Sequence, residues 1–188
     1  MFFDTLDNFL DGFRTRKFDD RGVQSSQEEE DVIDELLDLY LLAFYEGSKD
    51  AGKELMIDVE PSTKDAQRVI NRPIEGKTYR ERVIDYLNGR MGETTGTPAE
   101  AIARVAETDS VRIYNESKLE TAIKNGATSK TWVTMEDNRV RDTHVLLDGV
   151  TVPIDGYFYT YTGAKAQAPC QFGDASEDVN CRCYITVQ

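Results

Sequence analysis

Apolar residues recur at the three- and four-residue steps of helices in the first half of the chain, and at the alternate positions of strands in the last third. Phe3, Leu6, Leu10 and Phe13, with Asp4, Asp7 and Asp11 between them, predict a short amphipathic helix over residues 3–13. Such a helix is marginal alone, so it either packs on its own chain or docks on a partner. Residues 18–30 are polar and end in Gln27-Glu28-Glu29-Glu30, which reads as a flexible joint or an acidic helix start. From Asp31, the spacing of Val32, Ile33, Leu36, Leu37, Tyr40, Leu41 and Phe44 predicts a core-facing helix to about Tyr45, stopping near Gly47. A further helical stretch over 49–57 is weakened by Gly52.

Capping boxes open the next helices. Thr78-Tyr79-Arg80-Glu81 precedes Val83, Ile84 and Leu87, with Gly89 as the stop. Residues 91–96, rich in Gly and Thr, mark a boundary. Thr97-Pro98-Ala99-Glu100 then starts a helix that runs to Lys124 and is stopped by Asn125-Gly126. At about 28 residues it would span roughly 42 Å, the length of a scaffold or interface element. Beyond it, Thr131–Met135 has strand composition, Glu136-Asp137-Asn138 is a turn, and Leu147-Asp148-Gly149-Val150 turns into a strand over 150–152. Tyr157–Tyr161 reads as a strand, as does Cys181–Val187, which places Cys181, Cys183, Ile185 and Val187 on one face. The order predicts an α+β fold with N-terminal helices and one long helix before a small, mainly antiparallel β region. Residues 1–60 are expected to form a helical N-terminal region, 61–94 a helical connector and 95–188 an α+β domain, with its long helix at 97–125 and its β region at 130–188.

Charge narrows the class of partner. The net charge of −13 argues against a nucleic-acid binder, because affinity for phosphates comes mainly from Lys and Arg. The first 94 residues carry 13 basic and 22 acidic groups, so the excess lies mostly there and reads as a solvated face or a surface for a basic protein. No apolar run approaches the length of a membrane span, and the opening Met1-Phe2-Phe3-Asp4 lacks a secretory signal, so synthesis in a cytosol is expected.

Candidate chemistry gathers in residues 131–183, which hold the single Trp, the single His and all three Cys. Cys181 and Cys183 on one strand face, with His144 and Cys170, make a Cys₃His set that zinc accepts, although the ligand spacing is atypical. Free buried thiols are the plainer outcome, and a disulfide through Cys170 or redox chemistry is the third. A bridge between Cys181 and Cys183 is disfavoured, since alternate strand residues point in parallel. His144, near Asp137, Arg139, Arg141 and Asp142, is a candidate general base or the partner of a nucleophilic Cys. The competing reading has His144 and Arg141 in a buried polar network, with Arg139 and Arg141 paired to the acidic residues beside them. Tyr157, Tyr159 and Tyr161 form an aromatic stripe suited to sheet core or an interface patch.

Taken together, Ala103-Arg104-Val105-Ala106-Glu107-Thr108, Tyr114-Asn115, Gly126, Lys130, Trp132, Arg139-Val140-Arg141-Asp142-Thr143-His144, Asp148-Gly149, Phe158 and Asn180-Cys181-Arg182-Cys183 resemble the Mu F-like head morphogenesis family of tailed phages. The resemblance covers about residues 60–188. It implies a minor virion protein made in the bacterial cytoplasm, present in few copies near the portal, with the portal protein or other head proteins as partners. No cofactor is expected other than the zinc that the Cys and His residues could take, and Cys170 stands where the family pattern leads one to expect Gly or Pro, which counts against a four-ligand site. The rival reading is a metal- or Cys/His-dependent hydrolase centred on His144, Cys181 and Cys183. A carrier of toxin cargo is disfavoured by the five residues that follow Cys183.

Overall fold

Helix α5 (Pro98–Lys124) is buried on every side over three turns, from Asp109 to Leu119, and the remaining elements pack around it. The computed structural model describes residues 2–18, 26–90 and 96–188. Both capping boxes form, with Thr78 and Glu81, and Thr97 and Glu100, exchanging reciprocal bonds at the N-termini of α4 (Tyr79–Leu87) and α5. Gly126 then takes a left-handed backbone past the C-terminus of α5. Helices α1 (Phe2–Arg14), α2 (Ser26–Glu54) and α3 (Thr63–Ile70) complete the helical layer, and each of the four touches α5.

The short helix α1 packs on its own chain: Phe2 stacks on Tyr114 at 5.1 Å and Phe3 tilts against Tyr184 at 5.6 Å. The β region is a three-stranded antiparallel sheet with β1 (Ser129–Val133) between β2 (Thr151–Pro153) and β5 (Tyr184–Val187). In register, Trp132 faces Ile185 and Lys130 faces Val187. Strands β3 (Phe158–Tyr159) and β4 (Lys165–Ala166) pair separately, and the one-turn helices α6 (Asp142–Val145) and α7 (Ala175–Asp178) lie in the connections. Buried side chains from α1 to β5 form one hydrophobic cluster, so the expected α+β class holds.

Several expected boundaries move. Helix α2 does not stop at Gly47 but runs unbroken to Glu54, absorbing the separate stretch expected over 49–57. Gly47 sits where α2 meets α5, and a Cβ built there would lie 2.2 Å from the Tyr114 carbonyl oxygen. Its role is to let two backbones approach closely. Helix α3, which apolar spacing did not reveal, is short and held by the Ser62 side-chain cap on the Asp65 amide. Only Phe158–Tyr159 of the expected 157–161 strand is paired, leaving Tyr157, Tyr159 and Tyr161 exposed and not in a core. The paired strand expected from Cys181 begins at Tyr184, although burial alternates from Cys181 through Val187. The joint expected at 18–30 and the boundary at 91–96 fall largely outside the described residues, with α2 already formed from Ser26.

Gly→Ala in a helix interior ordinarily stabilises by about 0.5–1 kcal/mol. Gly12→Ala in α1, where a Cβ meets nothing within 4 Å, should follow that rule. Gly47→Ala should reverse it, losing about 1–3 kcal/mol or more as α2 and α5 are forced apart. Urea unfolding of both variants checks the sign, and stabilisation by Gly47→Ala would contradict the close approach.

Candidate functional site

The site lies where α6, β1 and the chain before β5 meet. Backbone bonds set α6: the amides of His144 and Val145 both reach the Arg141 carbonyl, at 2.9 Å each. The imidazole of His144 is thereby turned inward, beneath the ring of Trp132 at 5.3 Å and stacked on Phe172 at 5.5 Å. Trp132 in turn meets the edge of Phe158 at 5.1 Å, and its indole N–H has no hydrogen-bond partner among the described residues.

His144 Nδ1 faces two thiols, Cys181 Sγ at 3.6 Å and Cys183 Sγ at 3.7 Å. On the other side of the ring, Nε2 lies 3.2 Å from Glu177 Oε2, off the line of a good hydrogen bond. The Glu177 carboxylate also accepts from Thr143 Oγ1 at 2.7 Å and from Thr162 Oγ1 at 3.3 Å. His144, Cys181 and Cys183 place their ligand atoms within 4.8 Å of one another, whereas Cys170, the fourth candidate, is not in that group. The Cys170 thiol lies at the margin of the cluster, 3.4 Å from the Cys181 carbonyl oxygen. Of the four candidates, three come together in this group. All three cysteines are free and buried. Hydrogen bonds from the Cys170 and Cys183 thiols hold the Cys181 thiol well below its ordinary range, against the effect of burial. Cys183 is pushed up by its bond to Cys181 and by burial, and Cys170 is pushed up mainly by burial.

The remaining motif residues brace this centre. Arg139 does not pair with its acidic neighbours through its side chain: its guanidinium bonds to Glu107 Oε1 at 2.7 Å, and only its amide contacts the Asp137 carboxylate. Arg141 likewise donates to the Val179 carbonyl and not to a neighbouring carboxylate. Arg182 pairs with Asp137. Asp148 accepts from the amide and hydroxyl of Thr134 at 2.7 and 3.0 Å, and Gly149, left-handed at φ 73°, donates its amide to the Trp132 carbonyl. Asn180, also left-handed, donates its amide to Thr108 Oγ1 on α5 at 3.2 Å. Sequence reasoning missed Glu177. The available signal was Asp174-Ala175-Ser176-Glu177, a cap-like pattern at α7 in which the carboxylate turns to His144 and not back to the cap.

Lys130 on β1 is fully buried, donating to the Ile154 carbonyl at 2.8 Å, and loss of hydration lowers its pKa to about 8. The unfolded chain keeps that proton up to its ordinary 10.5, so between these values it binds more protons than the fold. Stability contributed by this site is therefore lowest below pH 8 and rises through that window. The stability difference between wild type and Lys130→Met should climb by on the order of 3 kcal/mol across it, read from urea curves at stepped pH. A flat difference would contradict a buried ammonium.

Residues 64–186 match the family described as Phage Mu protein F like protein. A 126-residue stretch is 37% identical to a protein of Enterococcus faecalis (strain ATCC 700802 / V583) named NAD(+)--arginine ADP-ribosyltransferase EFV, covering 63% of this chain and 25% of that protein. The chain thus spans about a quarter of the length of the curated relative it matches. No solved structure matches it. The family match takes in α3 to β5, including every brace around His144 from Glu107 to Cys183, and the chain belongs to the Phage Mu protein F like family of phage head morphogenesis proteins.

Proposed function

We propose that this chain is a minor head protein of a tailed phage or prophage, seated near the portal and acting in head assembly or genome delivery through protein contacts, without catalysis. The observation that carries the reading is the inward direction of the family's motif residues. Glu107, Asn115, Trp132, His144, Cys181 and Cys183 are buried and packed on or bonded to the chain's own elements, so the motif builds a rigid body and leaves the surface for partners. The net charge of −13 favours protein over DNA as that partner. Among the described residues no helix is long and apolar enough to cross a membrane.

The hydrolase reading has one observation in its favour, the line from Cys181 through His144 to Glu177, which resembles a thiol, base and orienting carboxylate. Against it, these groups are only 2%, 1% and 5% exposed, which leaves no approach for a substrate. The activity in the name of the E. faecalis protein is not carried over, because the match covers a quarter of that protein. Co-expression with the portal protein of the encoding phage, followed by size-exclusion chromatography, tests the proposal. Co-elution as a defined complex is the expected result. Separate elution, together with tight binding to DNA of any sequence at moderate salt, would overturn it.

A further inference from the structure

We propose that His144 Nδ1, Cys181 Sγ and Cys183 Sγ hold one zinc ion that staples the C-terminal strand to helix α6. One imidazole nitrogen faces two thiols at nearly equal distance, 3.6 and 3.7 Å. Zinc explains the symmetry. With bonds of roughly 2.3 Å to sulfur and 2.0–2.1 Å to nitrogen in a tetrahedron, the nitrogen-to-sulfur edge is roughly 3.6 Å. All three ligand atoms fall within 4.8 Å of one another, as a shared ion requires.

The surroundings have the form of a metal-binding histidine. Glu177 stands on the Nε2 side of the ring at 3.2 Å, off the line of a good hydrogen bond but on the side from which a carboxylate orients a ligating imidazole. Thr143 and Thr162 hold that carboxylate in place, so it is aimed by its neighbours. The three ligands line a cavity of about 10 Å³ together with Met135 and Arg141, with room for about one water. Cys170 stays outside the shell, its thiol within reach of the Asp178 and Cys181 carbonyls and of the Cys181 sulfur. Loading releases the protons of the Cys181 and Cys183 thiols to solvent as two sulfur–zinc bonds form, and leaves His144 neutral with its proton on Nε2. No oxidation or reduction takes place.

The site would couple metal to folding, because its ligands come from α6 and from the segment leading into β5, nearly forty residues apart. The test uses the full chain, purified under reducing conditions without a histidine tag. Elemental analysis should find close to one zinc per chain. Titration of the metal-free protein with cobalt(II) should give a sulfur-to-metal charge-transfer band and the intense visible bands of tetrahedral coordination. Cys181→Ser and Cys183→Ser should abolish these, Cys170→Ser should leave them intact, and Glu177→Gln should keep the spectrum while weakening affinity about 10–100-fold. If the cysteine variants fail to fold, the wild type still decides: chelation should lower its melting temperature and zinc alone should restore it. A wild-type chain with neither zinc nor a cobalt spectrum, or a spectrum that survives loss of both Cys181 and Cys183, would overturn the site. Loss of metal in Cys170→Ser would overturn its three-ligand form.

Discussion

Trp132→Ala is expected to cost about 3–5 kcal/mol, the largest loss for any single substitution in the β region. The indole is fully buried and is the common neighbour of His144, Phe158 and Phe172, with ring centroids 5.1–5.9 Å away. Removing it leaves a cavity at the point where β1, α6 and the segment before α7 converge, and frees the imidazole whose direction sets the thiol contacts. The indole N–H makes no well-aligned hydrogen bond among the described residues, so most of the cost is packing. Tyr159→Ala provides the contrast: at 61% exposed it should change stability by less than about 0.5 kcal/mol. Urea unfolding separates the two. A loss below about 1 kcal/mol for Trp132→Ala would mean that the cluster is looser than its geometry indicates.

Asn115→Ala should cost about 2–4 kcal/mol, although the residue is polar and sits mid-helix. Its Nδ2 donates to the Cys183 carbonyl at 3.0 Å and its Oδ1 accepts from the Ile185 amide at 3.0 Å. One amide side chain thus takes the place of a neighbouring strand along the edge of β5 that faces away from β1. Glu54 continues the substitution by accepting from the Val187 amide at 2.8 Å. The edge of the sheet is therefore closed by helices α5 and α2, which satisfies it and shields it from pairing with another chain. Alanine leaves a buried donor and a buried acceptor unpaired, each worth about 1–3 kcal/mol. Hydrogen exchange gives the local readout: the Ile185 amide should exchange much faster in the variant, while amides of β1 paired to β2 change only with global stability. Unchanged protection at Ile185 would contradict this account of the edge.

What was legible in the chain follows from how local each signal is. Both capping boxes, the full extent of α5 and the burial alternation from Cys181 to Val187 depend on residues a few positions apart, and all appear in the fold. The path of α2 through Gly47 was not legible, because the reason for that glycine is the carbonyl of Tyr114, far away in the chain. The same holds for the polar face of α5. Nothing local in the sequence marks Glu107, Asp109, Arg112, Asn115 and Lys118 as core, yet each is buried against partners from distant elements. Glu107 meets Arg14 and Arg139, Asp109 meets Arg82, and Lys118 meets Glu54 at 2.7 Å. Burying such charges without their partners would be prohibitive, and those partners are visible only in three dimensions.

At the site, the sequence marked His144, Cys181 and Cys183 as companions but placed Cys170 with them and left Glu177 out. Cys170 adopts a left-handed backbone at φ 61°, which turns its thiol toward carbonyls of the following turn. Spacing along a chain carries no information about such a reversal. Glu177 was hidden for the opposite reason: it looks like an ordinary capping residue of α7, and only the packing of α6 beside it reveals its contact with the imidazole.

Quantitative mass spectrometry of purified particles of the encoding phage tests the proposed place of this member of the Phage Mu protein F like family in the head. The chain should be found in empty heads and in mature virions, at a constant ratio far below that of the major capsid protein and comparable to that of the portal. Its absence from purified particles, with all of it recovered in the soluble fraction of the lysate, would overturn the proposal.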